Sequence, residues 1–123
     1  MHNYEIAEQF TLLGKLMDIH GENAFKIKSY TNAAYTLDKL AQPVSEMSSH
    51  ELFAIRGIGE AIGQKILQLI ENKQLTILET YIEKTPMGIL EMLKIKGLGP
   101  KKIITIWKEF EIEHHFLYYL KYL

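Results

Sequence analysis

The sequence of 123 residues contains no cysteine, which excludes disulfide bonds and thiolate metal sites and suits a reducing cytoplasm. It also lacks any apolar run of membrane-spanning length, and residues 1–5 do not resemble the start of a signal peptide. No stretch alternates apolar and polar residues in the manner of a half-buried strand. We therefore expect an all-α protein of the cytoplasm that has no membrane partner.

The chain also has no excess of positive charge, since its net charge is −1. A dedicated DNA-binding protein is usually basic overall. The charge is nevertheless uneven. Residues 94–108 contain five lysines and no acid, while residues 1–25 contain one lysine against four acids. Such a lysine cluster is either a solvated helix face or a phosphate-binding surface, and composition does not decide between the two.

Glycine is concentrated in two matching segments, residues 55–59 and 95–99, which both read apolar, basic, glycine, aliphatic, glycine. Each precedes aliphatic residues at helical spacing, so the two segments form a repeat. Glycine permits a sharp turn, and the amides at the start of the following helix are unpaired and favour an anion such as phosphate. We expect the aliphatic residue between the glycines, Ile58 or Leu98, to be buried in the hydrophobic core.

The repeat resembles the helix-hairpin-helix motif, which grips the sugar-phosphate backbone of DNA without reading its sequence. One alternative is a pair of ordinary helix–helix turns. The other is a glycine-rich loop that binds a dinucleotide, and it fits worse because no β-branched strand run precedes either copy.

Apolar spacing predicts helices over approximately residues 3–20, 23–40, 48–53, 60–72, 76–84, 86–93 and 100–110. We expect Asn3 and Asn23 to cap the first two helices, and Lys26, Lys28 and Tyr30 to lie on the exposed side of the second. The predicted organisation is a lyase-like lobe over residues 1–75, a second hairpin lobe over residues 76–112 and a tail over residues 113–123 that can be helical.

The order and spacing of these blocks resemble the N-terminal region of family X DNA polymerases, the family of DNA polymerase beta, including its bacterial members. The blocks that carry the resemblance are residues 3–7, 21–30, 33–34, 55–59, 61–66 and 98–102, within a match over residues 3 to about 110. The resemblance implies a compact all-α domain like the N-terminal domain of DNA polymerase beta. It also implies DNA as the partner, as a gapped or nicked duplex with a 5′-phosphate, and repair in the cytoplasm at the nucleoid.

In that family the first lobe binds the 5′-phosphate at a gap and can be a 5′-deoxyribose-phosphate lyase, whose lysine amine forms a Schiff base with the opened sugar. Lys65 matches the nucleophilic lysine, and Lys26 and Tyr30 match a phosphate-binding lysine and tyrosine. Ala61 and Ile77 stand where family members carry further lysines. The expected DNA contacts are Gly57, Gly59, Gly97, Gly99, Lys96, Lys101, Lys102, Lys26, Lys28, Tyr30 and Arg56.

The family hairpins also hold a sodium or potassium ion through backbone carbonyls, and the resemblance implies no other cofactor. By position the carbonyls would come from Phe53, Ile55 and Ile58 in the first hairpin and from Leu93, Ile95 and Leu98 in the second.

Polymerase activity is excluded for this chain alone, because two-metal catalysis needs clustered carboxylates and Asp18 and Asp38 are the only aspartates. Sequence-independent DNA binding is thus the leading hypothesis. The alternatives are a stand-alone lyase acting through Lys65 and a protein-interaction domain that has lost DNA binding. The mild acidity and the aromatic stretch over residues 116–123 favour the protein-interaction domain.

Overall fold

A computed structural model of the chain describes the backbone of residues 1–121 and the side chains of residues 1–110. The helices are α1 Asn3–Ile19, α2 Ala24–Lys39, α3 Ser49–Phe53, α4 Glu60–Asn72, α5 Thr76–Glu83, α6 Met87–Leu93 and α7 Pro100–Lys121, with a 3₁₀ turn at Val44–Glu46. No strand occurs in this range, so the all-α prediction is confirmed. No helix of residues 1–121 combines the length and the apolarity that a membrane crossing needs.

The tail predicted over residues 113–123 lies within α7 as far as Lys121. Its side chains, including those of the aromatic stretch over residues 116–123, lie outside the described residues.

The chain divides into two compact units, Met1–Lys84 and Thr85–Leu123. The first unit contains α1 to α5, and the second contains α6 and α7. Leu78 and Tyr81 on α5 are buried, and α5 packs on α1, which places α5 in the first unit. The lobe boundary predicted after residue 75 stays a prediction, while the compact units of the structure divide after Lys84.

Helix α1 is the centre of the first unit. The stripe predicted for it is confirmed, because Ile6, Phe10, Leu13 and Met17 are fully buried. Burial of each such side chain stabilises the fold by about 1.5–3 kcal/mol. Helix α1 packs against α2 and α5, while α4 packs against both α2 and α3. The first hairpin, between α3 and α4, is therefore attached to the core through its following helix.

Asn3 was predicted to cap α1, and that prediction is wrong. The cap position is His2, whose backbone N–H donates to the Glu5 carboxylate at 3.1 Å. Asn3 lies inside the helix, where its side chain accepts a hydrogen bond from the Val44 amide at 2.9 Å and donates to the Gln42 carbonyl at 3.0 Å. The cause is tertiary, since Asn3 supplies partners to a distant loop whose backbone groups need them.

Helix α2 begins as predicted, with the Asn23 side chain accepting a hydrogen bond from the Phe25 amide at 2.7 Å. Tyr30, however, was predicted on the exposed side of α2, and that placement is wrong. Its side chain is only 3% exposed, and its ring centroid lies 5.7 Å from that of Phe10 on α1. Tyr30 lies one helical turn before Ala33 and Ala34, which are also buried, and so it belongs to the face of α2 that meets α1.

The second unit has a small described core. Among residues 85–110, the buried apolar side chains are Ile89 on α6 and Ile103 on α7, and Thr85 is buried as well. Helices α6 and α7 pack against each other around the second hairpin. The amphipathic spacing that predicted these helices thus also positions a second glycine turn.

Candidate functional site

The two glycine hairpins have the same backbone conformation. Gly57 and Gly97 have φ angles of 95° and 87°, which L side chains rarely adopt. The amide between the glycines then donates to a carbonyl three residues earlier: Ile58 to Ile55 at 3.1 Å and Leu98 to Ile95 at 3.2 Å. The repeat in the sequence is therefore a repeat of backbone geometry.

Each hairpin leads directly into the N-terminus of a helix. The Gly59 carbonyl accepts from the Gly63 amide at 2.8 Å, and the Gly99 carbonyl accepts from the Ile103 amide at 3.2 Å. The first amides of α4 and α7 have no helical acceptor and carry the positive end of the helix dipole. A Cβ atom added at Gly59 or Gly99 would meet nothing within 4 Å, so both glycines face open space. Unpaired amides at a helix N-terminus favour an anion such as phosphate.

The hairpins differ in how their flanking helices pack. In the first hairpin a Cβ atom at Gly63 would overlap the ring of Phe53, so α3 and α4 approach each other closely there. The matching positions of the second hairpin are Ile103 and Leu93. Ile103 is fully buried. In the first hairpin the bulky side chain is therefore on the helix before the turn, and in the second hairpin the buried bulky side chain is on the helix after the turn.

The hairpins also differ in how deeply their apolar side chains are buried. Ile58, which was predicted to be buried in the core, is 3% exposed, and Ile66 on α4 is fully buried. The matching Leu98 is only half-buried, and Ile106 is 39% exposed. Ile95 before the second hairpin is 56% exposed. The first hairpin is therefore anchored in the core of its unit, and the second stands closer to solvent.

Lys65, the lysine predicted as nucleophile, lies half-buried on α4 beside the buried face of α2. Its Nζ atom is 5.8 Å from the ring centroid of Tyr30, within the range of a cation–π contact. Burial raises the pKa of the Tyr30 phenol, and the positive charge of Lys26 partly offsets that rise. Tyr30 therefore lies beside Lys65 on α4, and the exposed Lys26 lies one helical turn before it on α2, close enough for its charge to act on the phenol. These three residues are called the Lys26–Tyr30–Lys65 cluster below.

The remaining predicted contacts lie on the surface. Lys28 on α2 and Arg56 in the first hairpin are exposed. Lys96, Lys101 and Lys102 are also exposed, all within the second hairpin and the first turn of α7. The basic stretch therefore surrounds the second glycine turn.

The hairpin carbonyls have suitable chemistry for the predicted monovalent cation. Those of Ile55 and Ile95 each accept one hydrogen bond within the turn, and a carbonyl oxygen has two lone pairs. One lone pair on each is left for a ligand, and backbone carbonyls replace the hydration shell of ions such as potassium. The residues fit the ion, whose binding stays a prediction. In the described part of the chain, no group of three His, Cys, Asp or Glu residues could hold a metal ion.

A polar cluster that the sequence reasoning missed joins α5 to the loop before α2. The Tyr81 hydroxyl donates to the Glu22 carboxylate at 2.5 Å. Burial raises the pKa of Tyr81 to about 12, assisted by this bond and the charge of Glu22. Burial and the charge of Lys84 lower the pKa of His20, whose ring lies 5.6 Å from that of Tyr81. The partners are distant in sequence, so no local pattern indicates the cluster.

A groove between α4 and α5 was also missed. It contains Lys65, and amide and hydroxyl side chains line it together with Leu67, Ile77 and Glu71. The available signal was an amide at every fourth position of α4, namely Gln64, Gln68 and Asn72, which places these side chains along one face.

Comparison with known proteins agrees with this geometry. The helix-hairpin-helix domain family matches residues 1–75. The DNA polymerase/3′-5′ exonuclease PolX of Bacillus subtilis (strain 168) is 30% identical over 109 residues, which are 89% of this chain and 19% of that protein. DNA polymerase lambda of Rattus norvegicus is 28% identical over 101 residues, which are 81% of this chain and 17% of that protein.

The chain thus spans about a fifth of the length of these relatives. The family match covers both the α1–α2 pair and the first hairpin, and the longer match to PolX accounts for most of the chain. This chain belongs to the helix-hairpin-helix domain family and is homologous to the N-terminal region of family X DNA polymerases.

Proposed function

We propose that this chain binds DNA at gaps or nicks during repair, through phosphate contacts that do not depend on base sequence. The observation that carries the proposal is the shared geometry of the two hairpins, each of which leads directly into a helix N-terminus through a glycine that faces open space. Such a terminus binds phosphate through its amides and its dipole. Two of them in one chain can hold two points of a duplex backbone.

Each hairpin contributes its own amides to the contact. In the proposed complex the glycine amides at positions 57, 59, 97 and 99 donate to phosphate oxygens, and Lys96, Lys101 and Lys102 add charge around the second turn. A sodium or potassium ion held by the hairpin carbonyls would neutralise part of the phosphate charge. The lysines fix orientation and affinity without reading bases.

The test is the salt dependence of binding to a gapped duplex, measured by fluorescence anisotropy. Phosphate contacts predict that the logarithm of the affinity falls linearly with the logarithm of salt concentration, with a slope of about −0.9 for each neutralised phosphate. Duplexes of unrelated sequence should give the same line. An affinity that did not change with salt, or that varied strongly with base sequence, would refute the proposal.

The Lys26–Tyr30–Lys65 cluster supports a finer proposal, that the first unit binds the 5′-phosphate at the gap. The Lys65 amine lies 5.8 Å from the buried Tyr30 ring, the charge of Lys26 acts on the Tyr30 phenol, and all three residues lie in the unit that holds the first hairpin. The test compares gapped duplexes that end in a 5′-phosphate or a 5′-hydroxyl. We expect tighter binding of the phosphate form, and equal binding would contradict this proposal while leaving hairpin binding intact.

The second candidate function is 5′-deoxyribose-phosphate lyase activity through Lys65. The observation that favours it is a half-buried amine beside Tyr30, in the cluster that would hold the phosphate. In this reaction the amine attacks the sugar aldehyde with loss of water and forms a Schiff base. Loss of a proton from the adjacent carbon then breaks the bond between the sugar and the phosphate oxygen of the downstream strand.

Borohydride reduction tests the lyase, because it traps the Schiff base as a stable cross-link between protein and DNA. We expect the wild-type chain and Lys15→Ala, which changes an exposed lysine on α1, to be trapped on an incised abasic duplex. We expect no trapping for Lys65→Ala. Trapping of Lys65→Ala, or none of the wild type, would reject this role.

A further inference from the structure

The groove between α4 and α5 is a shallow surface depression that combines one amine with a row of amide and hydroxyl side chains. Its volume is about 780 Å³, and it is broadly open to solvent along its length. Its polar lining residues include Gln64, Lys65, Gln68, Asn72, Thr76 and Thr80. An open groove of this size accepts a planar group that enters from the surface.

The amides of α4 form a row along one wall of the groove. Gln68 is half-buried, and its Nε2 atom donates to the Thr76 hydroxyl on α5 at 3.1 Å. This bond orients the amide and leaves its Oε1 atom to accept a hydrogen bond and its second N–H to donate one, as a bidentate contact with a base edge requires. Gln64 and Asn72 continue the row one turn to either side. Thr80 donates to the Thr76 carbonyl at 3.0 Å, so its hydroxyl oxygen can still accept.

The charge of the groove argues against a phosphate along its length. Lys65 is its cation and Glu71 its carboxylate, and its other lining side chains are neutral. A phosphate near Lys65 is attracted, whereas a phosphate farther along would meet Glu71. A neutral group with hydrogen-bond donors and acceptors fits this surface, and the edge of a nucleobase is such a group.

The α4 wall of the groove extends beyond Lys65 far enough to lie alongside one nucleotide. From Lys65 to Asn72, α4 rises about 10 Å at about 1.5 Å per residue. Lys65 therefore stands at one end, where the amine can meet a phosphate, and the amides follow within reach of the attached base. Paired amide donors and acceptors of Asn and Gln are the groups that bind adenine edges in DNA.

We propose that the α4–α5 groove binds the unpaired base of the 5′-terminal nucleotide whose phosphate lies at Lys65. This inference rests on the proposed 5′-phosphate binding by the first unit. It adds a preference for gaps at which the terminal nucleotide is mismatched or frayed. Gln68 is the central contact, because Thr76 holds its amide in place.

The experiment uses two gapped duplexes that carry the same 5′-phosphate. In one the terminal nucleotide is a mismatched adenine, and in the other it is a base-free tetrahydrofuran residue, so only the base differs. We expect the full chain to bind the first about tenfold more tightly, as one good bidentate base contact allows. Gln68→Leu should remove the difference without changing the affinity for the base-free duplex. The control Gln9→Leu, at a half-buried amide on α1, should keep it.

A second variant, Asn72→Ala at the exposed end of α4, should reduce the preference while leaving Gln68 in place. Equal affinity of the wild type for both duplexes would overturn the inference, as would a preference that survived in both groove variants. These outcomes differ from failure of the proposed function, in which the base-free duplex would bind equally with and without its 5′-phosphate.

Discussion

The two hairpins share one backbone conformation, but the side chains that surround them differ. Their glycine φ angles and turn hydrogen bonds agree closely, yet Ile58 is buried in the first hairpin whereas Leu98 is only half-buried in the second. Both hairpins therefore share the turn that we propose binds phosphate. The side chains around the two turns differ, and we propose that the roles of the turns differ with them.

The two hairpins also differ in the charge of the segments around them. The segment over residues 54–68 contains Arg56, Lys65 and Glu60, whereas the matching segment over residues 94–108 contains five lysines and no acid. One of those lysines, Lys94, pairs with Glu91 at 3.3 Å on the surface, where such a pair contributes little to stability. The first hairpin thus carries one positioned amine beside Tyr30, and the second carries diffuse positive charge.

The largest expected effect comes from the small core of the second unit. Ile103→Ala should leave a cavity and cost about 2–5 kcal/mol of local stability, because Ile103 is fully buried among few other apolar side chains. Hydrogen exchange should show faster exchange in α6 and α7 while α1 keeps its protection. Uniform acceleration across the chain would contradict a separate second core.

The matched change in the first hairpin adds volume instead of removing it. Gly63→Ala should cost about 1–3 kcal/mol, because its Cβ atom overlaps the Phe53 ring. Adding Phe53→Leu, the residue type at the matching position of the second hairpin, should recover part of this loss. Urea unfolding measures both variants, and a double variant less stable than Gly63→Ala would show that the two positions do not exchange volume.

Charge removal should separate the hairpins by their salt dependence. Changing Lys96, Lys101 and Lys102 together to glutamine should reduce the salt slope of DNA binding by about one per lysine. The matched control changes Lys15, Lys39 and Lys73, which are exposed elsewhere in the chain, to glutamine. If the control reduced the slope as much, net charge rather than the second hairpin would explain the binding.

The smallest effect concerns pH and the first unit alone. Burial and Glu22 raise the pKa of Tyr81 from 10.0 to about 12, so the folded state keeps a proton that the unfolded chain releases. Its contribution to stability is complete below the unfolded pKa and is lost as pH rises from about 10 through about 12. Urea unfolding at a pH of about 8 and about 11 should show this loss. Tyr81→Phe should reduce it, and an unchanged loss would assign it to other groups.

Local sequence signals predicted most of the fold. Apolar spacing located the helices, and the two glycine pairs predicted the sharp turns in which Gly57 and Gly97 have positive φ angles. The two wrong placements have tertiary causes. Asn3 bonds to residues 42–44, and Tyr30 turns inward because α1 packs on α2. Neither partner is visible in a local window.

The candidate site divides in the same way. The glycine turns and the lysines around the second turn could be read from a contiguous motif, whereas Lys26 and Lys65 were assigned through the family resemblance, and the roles of all these residues stay predictions. The α4–α5 groove and the Tyr81–Glu22 bond were not, since both depend on where α5 packs. A residue pattern on one helix does not reveal the opposite wall of a groove.

The measurement that tests the central claim most directly is the ratio of affinities for a gapped duplex with a 5′-phosphate and one with a 5′-hydroxyl. In Lys26→Ala and Lys65→Ala the ratio should fall about tenfold, since each removes a charged partner of the phosphate. The double change of Lys101 and Lys102 to alanine should weaken both duplexes equally and leave the ratio unchanged. A ratio that fell with the second-hairpin lysines and was unaffected by Lys26 and Lys65 would contradict the division of roles.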